Sequence, residues 1–508
     1  MNLKDAPLYL KLKEYSSRKR ISFAMPGHKG GAGIKRDFAQ KAMKYDVTEL
    51  HDTENLYHPK EALQKAKRLA GEYFGAEETY FMVNGSTSGI YAMIAAACSP
   101  GDTIIVNRAC HMSVINACIM LGVKPEFVSQ QILEEYCVPG GIDHRRLVEV
   151  LDRNDTAKAV LLTSPSYYGI ASDIEAVANI TRPRGIALLV DEAHGAHFPV
   201  DERIFPRTAM EQGADLSVCS AHKTLNALNQ SAFLNFRGDI VDKHRLETVI
   251  AMQQTSSPSY VIAASADIAR AEVSTMRGRA KWREIYDECA ILRHKVMSKT
   301  DVVFISEQLS LTNDIYGVDE TRIVMNFSNY NITGFEVSDM LRRKFNIDME
   351  MADLFNVVGI ATPANSRKDF SSLASAVIKI CAGLKKSDEE PVFPEIPVPE
   401  MRMTPQQAFY AKGRNVRLDE AIGCVSRVTV VAYPPATPII CTGEIITEES
   451  IGYIEALIGM EAEITGLNAN GFISIVEDYR EEPEYEYEEN TEENTDENTD
   501  ENIEENAE

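Results

Sequence analysis

The nine cysteines include no C-x-x-C pair and no zinc-ligand spacing, so neither a metal site nor a disulfide framework is indicated. Scattered through 508 residues, they fit a reducing compartment. No run reaches the roughly eighteen apolar residues that a membrane span needs. The opening "MNLKDAPLYLKLKEYSSRKR" lacks the apolar region of a secretory signal. A cytoplasmic protein is therefore expected. Basic charge is also scarce: the formal net charge is −24. Residues 481–508 hold fifteen Asp and Glu and no Lys or Arg, and setting them aside leaves −9 on the body. A mildly acidic body argues against nucleic-acid or anionic-membrane partners.

Hydrophobic residues make up 44% of the chain, enough for large cores, and the length predicts several units. Residues 1–60 read as an irregular lead-in that packs on a partner subunit, with "MPGHKGGAG" inside it. From 61 to 298 helical and apolar segments alternate. "KEALQKAKRLAGEYFG" has helical period and ends at Gly75 as at a C-cap. The runs 79–83, 103–107, 159–164, 186–191, 216–220 and 231–236 are continuously apolar. Such runs predict strands covered on both faces, as in a mainly parallel sheet flanked by helices. A smaller α/β domain follows over 299–390, carrying "RIVMNFS" and "NVVGIAT". The Pro-rich stretch 389–405 leads into a C-terminal α+β module, 391–478. The tail, 479–508, repeats an N-T-[D/E]-E unit and is expected to be disordered.

Four short stretches fall at the carboxyl ends of the predicted strands, where open α/β sheets bind ligands. "VNGSTSG" (83–89) opens a helix, and Ser86 and Thr87 there suit either plain capping or phosphate binding. "NRACHMS" (107–113) sets His111 just past a strand. "VDEAHGAH" (190–197) ends a strand on Asp191, a carboxylate that needs a cationic partner or a capping role. "SVCSAHKTLNALNQSAF" (217–233) holds Ser220, His222 and Lys223 between two apolar runs, and a lysine is rarely buried unless paired or used chemically. Alone, each is weak. Together and in this order they supply the parts of a pyridoxal 5′-phosphate site: Lys223 to bond the aldehyde, Asp191 for the ring nitrogen, the small residues for the phosphate, and His111 to stack. Asp191 precedes Lys223 by 32 residues, one sheet step.

The chain resembles the ornithine/lysine/arginine decarboxylase family of fold type I, in its short bacterial form without a wing domain. The resemblance covers about residues 5–460 and rests on "PGHKGG" (26–31), "DVTEL" (46–50), "FGAEETYFMVNGSTSG" (74–89), "SPSYYG" (164–169), "VDEAHGAH", "SAHKTLNALNQSA" (220–232) and "YPPATP" (433–438). It implies an aspartate aminotransferase-like fold and a homodimer with the site near the interface. It also implies that His111 stacks on the cofactor, that Ser86, Thr87 and Ser220 hold its phosphate, that His222 lies beside the substrate carboxylate, and that His194 lies in the cleft. The chain departs from the family at Met112 (commonly Lys), Asn229 (commonly Thr) and Ala436 (commonly Gly).

The expected reaction is decarboxylation of a basic amino acid, arginine before lysine or ornithine, feeding polyamine synthesis. Lys223, His222, His111 and Asp191 are the expected catalytic residues, with His222 or Lys223 returning the proton to Cα. The substrate's distal cation needs an acid: Glu350 and Asp353 in "MEMADLF", with Asp52 and Glu54 as others. Two alternatives stand beside this. An aminotransferase or lyase on the same fold would hold the α-carboxylate with an arginine, of which Arg367 is the nearest. A non-catalytic pyridoxal phosphate-binding protein would be expected to lack Lys223 or Asp191.

Overall fold

The computed structural model describes residues 6–311, 315–387, 397–433, 437–459 and 462–480. A seven-stranded sheet forms its centre. In spatial order the strands are Glu78–Met82, Ala232–Phe236, Leu216–Cys219, Ala187–Asp191, Ala159–Thr163, Thr103–Asn107 and Lys124–Val128. Side chains alternate across a strand. Ile104 and Val106 therefore join a core on one face, while Ile105 joins a separate core on the other. Helices Gly85–Ala97 and Met112–Leu121 cover the first face, and His144–Arg153 and Ile174–Thr181 cover the second. Continuous apolar runs are the result.

The five strands from Leu216–Cys219 to Lys124–Val128 are parallel to their neighbours. Ala232–Phe236 runs antiparallel to both Leu216–Cys219 and Glu78–Met82. An apolar run reports cover on both faces; it carries no direction.

One left-handed cap and one close approach set helices against the sheet. The helix Ala62–Phe74 ends at Gly75 with φ +72°, as expected of a left-handed C-cap. In the helix Gly85–Ala97, a Cβ on Gly89 would stand 2.5 Å from Val218 Cγ2. The helix backbone can therefore lie directly on the strand leading to Ser220.

The smaller domain is built on an antiparallel sheet, ordered Val303–Phe304, Arg322–Asn326, Asn356–Ile360, Met351–Ala352. Helices Met276–Met297, Gly334–Phe345 and Arg367–Cys381 pack on one face through Ile285, Leu292, Leu341 and Val377. The other face meets Tyr168 and Ile170 of the large domain. Part of the lead-in belongs to this same unit. Ile21 and Ser22 pair with Ile347 and Asp348, and Phe23 is fully buried in the small-domain core. The helix Pro7–Ser17, by contrast, buries no residue in this chain.

The C-terminal module contains two three-stranded sheets and the helix Glu448–Gly459 around an Ile-rich core. Its last strand, Ile473–Arg480, runs two residues past the expected boundary at 478. The remainder of the acidic tail, residue Ala436 and much of the Pro-rich stretch lie outside the described residues. Among the described residues, no helix is long and apolar enough to cross a membrane.

Candidate active site

The carboxyl ends of the parallel strands open on a cavity of about 380 Å³, within the usual range for a small-molecule site. Ser86, Thr87, His111, Thr163, Tyr167, Asp191, His194, His222 and Lys223 all line it. A larger hollow of about 700 Å³, between Leu56 and Gln254, contains none of these groups.

Register explains the meeting of Asp191 with Lys223. Asp191 closes its strand opposite Thr163 on one side and Val218 on the other. The chain leaves Val218–Cys219 through the buried Ser220, which starts the single helical turn Ala221–Thr224 carrying His222 and Lys223. Asp191 is almost wholly buried, with Oδ1 accepting from the Ala193 N–H at 3.1 Å. Burial draws the Lys223 ammonium down to about 8; Asp191 opposes this, Arg322 adds to it, and Glu350 opposes it.

Three histidines surround this pair, each held below its ordinary value first by loss of solvation. His111 caps the helix Met112–Leu121: its Nδ1 accepts the Ser113 N–H at 3.2 Å, leaving Nε2 to carry the ring proton. His222 Nδ1 lies 3.0 Å from the Ser231 carbonyl, to which it donates. His194 Nε2 lies 3.0 Å from Lys223 Nζ, and its ring centroid is 4.6 Å from that of Tyr167.

The helix Gly85–Ala97 begins at the cavity with no side chain capping its first turn. Its free N–H groups and partial positive charge suit a phosphate. Ser220 Oγ donates to Ser86 Oγ at 2.9 Å, so both hydroxyls stand at that point. Thr163 Oγ1, buried beside Asp191, has no partner among the described residues. Small donors at a helix start, a carboxylate, an amine of lowered basicity and an unfilled hydroxyl together fit pyridoxal phosphate.

The other candidates separate. Glu350 is held behind the cavity-lining Tyr167, with Oε1 accepting from Tyr167 Oη at 2.5 Å and Oε2 from the Met25 N–H at 2.6 Å. Asp353 is committed to its own loop: it accepts from the Phe355 and Asn356 N–H groups and from Tyr168 Oη at 2.7 Å. Glu54 caps the start of helix Ala62–Phe74, accepting the Ala62 N–H at 2.6 Å, and Asp52 is almost fully exposed. Arg367 is exposed and pairs with Glu284 and Glu288, so it is not the carboxylate-binding arginine an aminotransferase would require.

Sequence reading missed Arg322 and Lys29. Arg322 opens a fully buried strand, is only 2% exposed, and donates from Nη2 to His194 Nδ1 at 3.0 Å. An arginine heading an apolar run was the available signal. Lys29, in "PGHKGG", donates to the Ala24 carbonyl at 2.6 Å and is drawn down to about 7, chiefly by burial.

Comparison with known proteins places this geometry among relatives. Residues 6–369 match the family model described as Orn/Lys/Arg decarboxylase, major domain, and residues 389–474 match its C-terminal domain. The arginine decarboxylase of Bacillus subtilis is 35% identical over 463 residues, covering 89% of this chain and 94% of the relative. The structure of the constitutive lysine decarboxylase of E. coli superposes with a TM-score of 0.74 at 18% identity, covering 92% of this chain and 82% of the other. The ureidoglycine–glyoxylate aminotransferase of Bacillus subtilis shares the fold more distantly, with a TM-score of 0.55 at 11% identity over 72% of this chain and 95% of that one.

Proposed function

The chain belongs to the Orn/Lys/Arg decarboxylase family, and on that premise we propose that it is a pyridoxal phosphate-dependent arginine decarboxylase working at the cavity around Lys223. The observation that carries the assignment of the site is the meeting of Asp191 and Lys223 on neighbouring strand ends, at a helix start free of side-chain caps. Bound pyridoxal phosphate supplies the electron sink that lets the Cα–carboxylate bond break. Lys223 would hold the cofactor by its aldehyde carbon. Asp191 would keep a proton on the ring nitrogen, His111 would stack on the ring, and Ser86, Thr87 and Ser220 would hold the phosphate. His222, its Nδ1 donating to Ser231, presents Nε2 to the substrate, and His222 or Lys223 returns a proton to Cα. Glu350 is the candidate for the guanidinium end of the substrate. Asp353 acts behind it by fixing Tyr168.

A homodimer in the cytoplasm, making an amine for polyamine synthesis, completes the reading. The domain plan accompanying it is the lead-in (1–60), large domain (61–298), small domain (299–390) and C-terminal module (391–478). The choice of arginine over lysine rests on relatives named arginine decarboxylase at 31–35% identity over most of the chain.

The test is to incubate purified protein and pyridoxal phosphate with arginine, lysine or ornithine separately, and to assay agmatine, cadaverine and putrescine by mass spectrometry. Agmatine as the dominant product, lost in Lys223→Ala, is expected. Absence of all three amines would move the assignment to another reaction on this fold. Glu350→Gln is expected to raise KM for arginine by about tenfold or more, the worth of a charge-assisted hydrogen bond.

A further inference from the structure

Arg322 presents an unusual balance. Its guanidinium is buried, yet Nε and Nη1 find no hydrogen-bond partner among the described residues. Its side chain makes one hydrogen bond there, from Nη2 to His194 Nδ1 at 3.0 Å. A guanidinium only donates, so His194 Nδ1 must be an acceptor without a proton. In the neutral ring the proton then sits on Nε2, which faces Lys223 Nζ at 3.0 Å. An ammonium has no lone pair to accept it. The chain of donors closes only if Lys223 is the neutral amine.

We propose that Arg322 is a positioning residue for the cofactor lysine, fixing His194 in the tautomer that donates to Lys223 and so holding Lys223 as the free amine. The inference rests on the reading of Lys223 as the attachment point. Other charged and titratable groups also face Lys223: Asp191 from the strand end, His111 from its helix start, His222 from the same turn, and Glu350 from the small domain. Asp191 and Glu350 favour the ammonium. Burial outweighs the two acids, and Arg322 adds to it. Asp319, held down to about 2, offsets the charge of Arg322 from the same unit: burial raises it, and His197, Arg322 and Thr321 outweigh that.

The test uses cofactor-free full-length protein and no substrate. Brief labelling with acetic anhydride across pH, read by mass spectrometry at the Lys223 peptide, gives that amine's titration midpoint. Arg322→Met removes both donor and charge. Arg322→Gln removes the charge but keeps an N–H donor for His194. The Met variant is expected to raise the midpoint by at least about one pH unit, about tenfold less free amine at neutral pH. The Gln variant should stay closer to the unmodified protein. Equal shifts in both variants would assign the effect to charge alone and overturn the proposal, as would no shift in either. Should Arg322→Met fail to fold, nitrogen NMR of the unmodified protein decides: a proton on His194 Nε2 supports the proposal, and one on Nδ1 overturns it. Neither readout needs turnover, so failure of the decarboxylase assignment would be visible separately.

Discussion

Two buried arginines, Arg108 and Arg322, are used in opposite ways. Arg108 joins the large domain to the C-terminal module. Nη1 donates to Glu444 Oε1, while Nη2 donates to the Ile439 carbonyl at 2.8 Å and to Glu444 Oε2 at 3.1 Å. Glu444, itself fully buried, also accepts the Cys441 N–H at 2.7 Å. Charge is matched and both terminal nitrogens are used, as a clamp requires; Nε alone of the three nitrogens lacks a partner among the described residues. Arg322 is as deeply buried but spends a single hydrogen bond on an imidazole. A guanidinium paired with a buried carboxylate marks a residue that holds the structure together. A guanidinium that among the described residues reaches only a cavity-lining imidazole marks one kept for chemistry.

The largest effect that would sharpen this contrast is on stability. Glu444→Ala leaves Arg108 charged, buried and unpaired, and is expected to cost about 3–5 kcal/mol. Urea unfolding followed by circular dichroism would measure it. Replacing both partners with apolar residues, Arg108→Met with Glu444→Leu, should recover most of that loss, because the stranded charge is gone.

Arg322→Met should change stability by about 1 kcal/mol or less in the same assay, since little hydrogen bonding is lost. A loss as large as that of Glu444→Ala would break the comparison and make Arg322 a second clamp.

The remaining effects concern pH. Only the neutral amine of Lys223 attacks an aldehyde, so attachment of pyridoxal phosphate to cofactor-free protein should quicken as pH rises through about 8 and level off above it. Stopped-flow absorbance would follow this. The same shift has a linked effect on folding. The ordinary lysine value of 10.5 applies in the unfolded chain and about 8 in the folded one, so folding is penalised while the ammonium persists. Lys223→Met should therefore be more stable than the unmodified cofactor-free protein below about pH 8. The gap should close between pH 8 and 10.5, in thermal scans at each pH.

Much of the fold was legible. The apolar runs became the strands of the central sheet to within a residue or two, because cover on both faces leaves a compositional mark. Gly75 and the helix start after "VNG" were readable for similarly local reasons: a left-handed C-cap and a run of small residues are visible in a few positions. Glu350 and Asp353 were indistinguishable in sequence. Three residues apart, they diverge because one meets Tyr167 and Met25, and the other turns back to its own loop.

The sequence by itself determined the order along the chain of six of the seven central strands, and their ends to within a residue; Lys124–Val128 was not among the runs it marked. It thereby set Asp191 and Lys223 one sheet step apart, since both facts depend on neighbours within a few residues. Only the tertiary structure decided the direction of Ala232–Phe236, the donor chain from Arg322 through His194 to Lys223, and the pairing of Arg108 with Glu444. Arg322 and His194 are 128 residues apart, and Arg108 and Glu444 are 336 apart. A hydrogen bond depends on the distance and angle at which two groups finally meet, and no spacing along the chain encodes those.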